Sequence, residues 1–231
     1  WNVLIESVES DISIDLLEFS PDGSYLVAYG DLDFEIYRTS DWEEVFSGNV
    51  QSENGYYYGI NGITWSGDGE RILFITGDDG GKMYEGPDWE EVTGTSSTGL
   101  YAVHHPTEDI LWYVNNDATG NEYEFENIPF VGYQWVMKRS FTLTQNTGVG
   151  PLSVDPDGDY LVMGSEYGVS AYSTSDYSLE FSSSSASGPV SFSSNSDSIM
   201  FQNGDDYDIY STSNWQEISS VTGPRGSCYY D

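Results

Sequence analysis

Turn-forming tetrads and short apolar runs alternate along the chain. Ser20-Pro21-Asp22-Gly23, Ser66-Gly67-Asp68-Gly69, His105-Pro106-Thr107-Glu108, Asp155-Pro156-Asp157-Gly158 and Ser193-Ser194-Asn195-Ser196 each follow an apolar alternation, and their second residues lie 46, 39, 50 and 38 positions apart. A period near 40 marks a propeller or an array of stacked units. After each tetrad comes an apolar run: Tyr25-Leu26-Val27-Ala28, Ile72-Leu73-Phe74-Ile75, Ile110-Leu111-Trp112-Tyr113, Tyr160-Leu161-Val162-Met163 and Ile199-Met200-Phe201. Their composition predicts strands. An acidic or Gly-rich turn then leads to a third strand ending in Tyr37, Tyr84, Phe125, Tyr172 or Tyr210.

A small polar turn edged by an aromatic follows, as Ser40-Asp41-Trp42, Pro87-Asp88-Trp89, Ser175-Asp176-Tyr177 and Ser213-Asn214-Trp215. The third unit departs: an insertion from Asn127 to Gln134 precedes Trp135, which is read as the equivalent aromatic. A fourth strand comes next, as in Glu43-Glu44-Val45-Phe46 and Gln216-Glu217-Ile218. Four strands in about 40 residues make an antiparallel sheet with two apolar faces, which must be covered by neighbouring units.

These residues resemble the WD40-like family of β-propeller repeats over nearly the whole chain. The likeness rests on first strands ending in Phe19 or Phe192, the Ser-Pro-Asp-Gly type turn, and a third strand such as Phe34-Glu35-Ile36-Tyr37. The resemblance implies an all-β propeller of four-stranded antiparallel blades. Tyr stands where that family often carries Trp-Asp, and the Gly-His dipeptide is missing, so the family's hydrogen-bonded tetrad is not expected. The repeats are cut at 1–41, 42–88, 89–134, 135–176 and 177–214, with 215–231 giving an outer strand and the start of a further blade. On that cut the chain opens with a spare outer strand, Trp1 to Val8, which a neighbour would pair; Trp1, Val3 and Ile5 alternate on its interface face.

Charge narrows the partners. The 231 residues hold 39 Asp+Glu against 6 Lys+Arg, a net charge of −33, which opposes binding to a phosphate backbone. No apolar run reaches the roughly 18 to 20 residues that span a bilayer, so no membrane insertion is expected. The single cysteine, Cys228, cannot form a disulfide within the chain; it is an incidental thiol or a bridge to a neighbouring chain. With 33 Ser, 19 Tyr and 5 Ala, the composition points to an extracellular or cell-surface repeat protein. The alternative is the cytoplasm of a salt-adapted organism. No Asn-x-Ser/Thr sequon occurs, and the run Ser182-Ser183-Ser184-Ser185 is a polar loop or an acceptor of O-linked sugar.

For chemistry, the hairpins between second and third strands carry Asp31 and Asp33, Asp78 and Asp79, Asn115, Asn116, Asp117 and Glu122, Glu166, and Asp205, Asp206 and Asp208. Oxygen clusters of this kind suit calcium, although acids also favour turns and solvate surfaces. His104 falls at the end of the third unit's first strand and His105 in its turn, positions expected to serve core and turn. No Gly-x-Ser-x-Gly elbow is present. The sequence reads as a non-enzymatic structural or interaction module whose partners are proteins, foremost further copies in a filament joined by strand sharing. The alternative is an enzyme or ligand binder acting on carbohydrate or another neutral or cationic ligand through its loop acids.

Overall fold

The computed structural model describes residues 10–50, 59–76, 80–92, 101–115, 117–143, 150–165, 167–184 and 187–223. Every helix or strand among them is a strand, in five four-stranded antiparallel sheets. The first sheet is β1 (Leu16–Phe19), β2 (Tyr25–Gly30), β3 (Asp33–Arg38) and β4 (Glu43–Asn49). The second is β5 (Ile60–Trp65), β6 (Arg71–Thr76), β7 (Gly80–Glu85) and β8 (Glu90–Val92). The third is β9 (Tyr101–His104), β10 (Ile110–Val114), β11 (Thr119–Ile128) and β12 (Gly132–Thr142). The fourth is β13 (Leu152–Val154), β14 (Tyr160–Ser165), β15 (Gly168–Ser173) and β16 (Leu179–Ser183). The fifth is β17 (Ser187–Phe192), β18 (Ser198–Asn203), β19 (Asp206–Ser211) and β20 (Glu217–Thr222). In each sheet the strands pair in chain order, so the fourth strand joins the three before it.

The tetrads close the first hairpin of each sheet by one device. The side chain at the first position accepts the backbone N–H five residues on: Ser20 from Tyr25 at 2.9 Å, Ser66 from Arg71 at 2.9 Å, Asp155 from Tyr160 at 2.7 Å and Ser193 from Ser198 at 3.0 Å. The backbone N–H at the fourth position returns to the first carbonyl at 2.8 to 3.0 Å. That residue takes positive φ in Gly23, Gly69, Gly158 and Ser196, which is why glycine dominates there. In the third sheet His105 substitutes, its Nδ1 accepting from the backbone of Thr107 and Glu108 at 3.2 and 3.0 Å.

The chain divides into two compact units, Trp1–Ser96 and Ser97–Asp231. In the first, Val27, Tyr29, Phe34 and Ile36 of one sheet bury against Trp65, Ile72, Phe74 and Tyr84 of the next. In the second, Trp112, Val114 and Phe141 meet Leu161, Met163 and Tyr172, and the other face of the fourth sheet, with Val162, Val169 and Ala171, meets Ile199 and Phe201. Strands covered on both faces lose the apolar–polar alternation, and β6 is buried at all six residues.

The turn aromatics also repeat. Trp42, Trp89, Tyr177 and Trp215 all adopt positive φ, between 53° and 60°, just before the outer strand. The third sheet corrects the sequence reading: the segment from Asn127 to Gln134 lengthens the β11–β12 hairpin, and Trp135 lies inside β12 opposite Phe125. The turn aromatic there is Phe130, with φ 67°. Its turn is closed by Val131 N–H donating to the Ile128 carbonyl at 3.0 Å.

Candidate functional site

A buried polar cluster joins the third and fourth sheets. Glu122, expected in a hairpin, instead lies within β11, opposite Trp112 and Arg139. Its carboxylate accepts from Arg139 Nη2 at 2.7 Å, from the Tyr177 hydroxyl at 2.5 Å and from Trp112 Nε1 at 3.3 Å. Tyr177 in turn accepts from Trp112 Nε1 at 2.9 Å, and the Arg139 guanidinium lies 4.5 Å from the centre of the Tyr177 ring. Burial pushes the Glu122 carboxyl up, but the bonds from Arg139 and Tyr177 outweigh it and hold it below the usual carboxylate range. Burial and the bond to Glu122 raise the Tyr177 phenol. Arg139 also donates to the carbonyls of Ser175 and Thr174 at 2.9 and 3.1 Å, fastening the fourth sheet's turn to the third sheet's outer strand.

Of the other residues expected at the hairpins, Asp31, Asp33, Asn115, Asp117, Asp205 and Asp206 are placed there and engaged one by one, whereas Asp208 lies within β19 and accepts from Asn203 at 2.7 Å, and Asn116 and Glu166 lie outside the described residues. Asp31 is at positive φ in the β2–β3 turn, its carbonyl accepting from Ile60 N–H at 2.6 Å. Asp33 accepts from Asn49 at 2.6 Å and Asp206 from Thr222 at 2.6 Å, so the first residue of a third strand is tied to the last of a fourth in both sheets. Asn115 donates to the Thr119 hydroxyl at 3.1 Å, and Asp117 accepts from the backbone and hydroxyl of Thr119 at 3.0 and 2.6 Å. Those two bonds hold the Asp117 carboxyl low. The Asp205 carbonyl accepts from Gly223 N–H at 3.2 Å. Among the described residues no three His, Cys, Asp or Glu side chains gather in a group able to hold a metal ion. Asp78, Asp79, Trp1, Val3, Ile5 and Cys228 lie outside the described residues.

His104 is buried with its ring 5.6 Å from that of Trp135, and His105 closes its turn, as expected of both. A side chain at Gly158 would run into the His105 imidazole, so the tetrads of the third and fourth sheets touch. Asp157 N–H donates to Ser196 Oγ at 3.0 Å, linking those of the fourth and fifth. The turn aromatics are packing residues: Trp89 stands edge-on to Tyr25 at 5.0 Å, and Trp215 edge-on to Tyr160 at 5.2 Å and flat on Phe181 at 5.2 Å. One repeated tie escaped the sequence reading. Thr39, Thr174 and Thr212 donate to the carbonyls of Gly23, Gly158 and Ser196 at 2.7, 2.8 and 2.5 Å. Its signal was a threonine three positions before the turn aromatic.

What the sheets leave open is apolar surface. Phe130 is fully exposed, and Val131, Tyr133 and Met137 share its hairpin as exposed apolar residues. Tyr133 stacks on Phe125 at 5.5 Å, and Phe125 leans on Trp135 at 5.1 Å. In the fifth sheet β20 is exposed at all six positions, including Ile218 and Val221 at 60% and 54%. On β1, Leu16, Leu17 and Phe19 are exposed as well.

No family model matches the chain, and no curated protein matches it by sequence. Among solved structures it is similar to the β-propeller domain of Cps50 (Swd1) from Myceliophteria thermophila, with 13% identity and a TM-score of 0.61. The match covers 84% of this chain and 63% of that one, so the chain spans less than two thirds of the domain it resembles. At such identity the likeness establishes fold alone: these are four-stranded blades of the β-propeller kind.

Proposed function

We propose that the chain is a non-enzymatic interaction scaffold in an extracellular or cell-surface assembly, a filament subunit joined to its neighbours through sheet edges. Propellers host many unrelated functions, so the reading rests on surface chemistry and not on the fold. The observation that carries it is β20, a six-residue outer strand exposed throughout and bearing Ile218 and Val221. It pairs with β19 alone among the described strands. An unpaired edge strand is a template for pairing with another chain. A second strand for sharing, Trp1 to Val8, belongs to the same proposal.

Sedimentation velocity in 1 M NaCl tests it, because salt screens the mutual repulsion of chains that each carry −33. The native chain is expected to assemble, and the double variant Ile218→Lys, Val221→Lys to sediment as a monomer. A native chain that stays monomeric, or a variant that assembles unchanged, overturns the edge reading. Calcium at Asp31, Asp33, Asp78, Asp79, Asn115, Asp117, Glu122, Asp205 and Asp206 is a separate proposal. It requires millimolar CaCl₂ to raise the thermal midpoint beyond NaCl of equal ionic strength, and equal midpoints would end it.

A further inference from the structure

Phe130 occupies the place that Trp42, Trp89, Tyr177 and Trp215 occupy in the other four sheets. All five are aromatics at positive φ one or two residues before the outer strand. A bulky side chain there is held in a backbone conformation that glycine would adopt without strain. Trp89, Tyr177 and Trp215 spend that strain on packing against the preceding sheet of their own unit. Phe130 keeps the conformation while its ring stands wholly in solvent. The turn closed by Val131 N–H on the Ile128 carbonyl, with Pro129 ahead of Phe130, sets that conformation, and it is the wholly exposed apolar ring it presents that points to a contact made outside the chain.

The surroundings of Phe130 say what kind. From Asn127 to Met137 no residue is charged, in a chain with a net charge of −33. A cationic partner would be drawn to the acidic bulk of the surface and would need no neutral tip. A partner as acidic as this chain can approach closely only where charge is absent. The tip is also braced, since Tyr133 stacks on Phe125 and Phe125 contacts Trp135, so little freedom is lost on docking.

A receiving surface exists on the same fold. In the fourth sheet Trp215 lies on Phe181, which pairs with Ala171, itself opposite Val162. The same positions in the fifth sheet are Ser219, Ile209 and Met200, with Val221 two residues further along β20. Met200 and Ile209 are half-buried and Val221 is exposed.

We propose that Phe130, at the tip of the β11–β12 hairpin, docks on the Met200–Ile209–Val221 face of the fifth sheet of a second copy of this chain. The proposal rests on the self-association reading and names its contact. Tip and acceptor are different surfaces, so the contact is heterologous and propagates into an open chain of subunits.

Complementation tests it. Phe130→Gly removes the ring, relieves the positive φ and uncovers no buried residue, and Val221→Lys puts a charge on the acceptor face. In 1 M NaCl by sedimentation velocity each variant alone is expected to be monomeric. Their equimolar mixture is expected to give dimers and nothing longer, because the second variant's tip still fits the first variant's acceptor. Phe130→Gly assembling like the native chain, while the β20 variant does not, overturns the docking and leaves the edge reading intact. A mixture that stays monomeric also overturns the docking. A native chain monomeric at every salt concentration overturns both.

Discussion

Tyr177 and Phe130 sit in the same kind of turn and meet opposite fates. Both are aromatics at positive φ before an outer strand, at 60° and 67°. Tyr177 stacks on Phe141 at 3.9 Å and closes its hydroxyl onto Glu122, whereas Phe130 touches solvent. Turn geometry therefore does not decide burial; the length of the hairpin does. Where the third and fourth strands are short, the turn lies against the neighbouring sheet. Where β11 and β12 extend to 10 and 11 residues, the turn is carried away from it.

Removing an inward aromatic should have the largest effect. Trp89→Ala, at a residue only 2% exposed, is expected to cost about 3–5 kcal/mol by urea unfolding. A cost below ~1 kcal/mol would mean that the turn aromatics do not hold sheets together. Glu122→Gln comes next, at about 2 kcal/mol near neutral pH, because it takes the charge from a buried bond to Arg139. The folded pKa of Glu122 is depressed, so its contribution is present above the unfolded value near ~4.3 and is lost as pH falls through the folded one. The variant's stability should accordingly change less between neutral and acid pH than that of the native chain, which a pH series of urea midpoints reads directly.

Asp155→Ser should act in the other direction. Burial raises the Asp155 carboxyl, only partly offset by Tyr160 N–H and the Ser196 side chain. A raised folded pKa costs stability as pH climbs past the unfolded value near ~3.9. Ser20, Ser66 and Ser193 close the same turn without that charge. A gain of about 1 kcal/mol at pH 7, shrinking toward acid pH, is expected, and a loss at pH 7 would show that the carboxylate is needed. The smallest effect belongs to the outward aromatic. Phe130→Gly should raise stability by roughly 0.5 kcal/mol, since it relieves the positive φ and uncovers nothing; a loss comparable to Trp89→Ala would place Phe130 in a core.

The strands of each sheet were legible because their information is local. First strands ending in Phe19, Trp65, His104, Val154 and Phe192, and the tetrads after them, stand where the sequence pattern puts them. The third sheet's outer hairpin was misread because Pro129-Phe130-Val131-Gly132 carries none of the polar signature that marks the other turns. Trp135 took the role of the nearest aromatic. Glu122 was placed in a hairpin instead of a strand for a different reason: its partners Arg139 and Tyr177 lie 17 and 55 residues away, and nothing near Glu122 announces them. An acid in a strand looks like an acid in a loop until its counter-ion is found.

Pairing in strict chain order has a kinetic consequence. Each sheet is one uninterrupted stretch, such as Leu16 to Asn49 or Ser187 to Thr222, so no strand waits for a distant segment before its hydrogen bonds can form. Short loops cost little entropy to close, and topologies rich in near-neighbour contacts fold quickly. Each sheet can zip from its first hairpin outward, with docking between neighbours as a later event. Amide exchange should therefore proceed in sheet-sized cooperative steps rather than residue by residue.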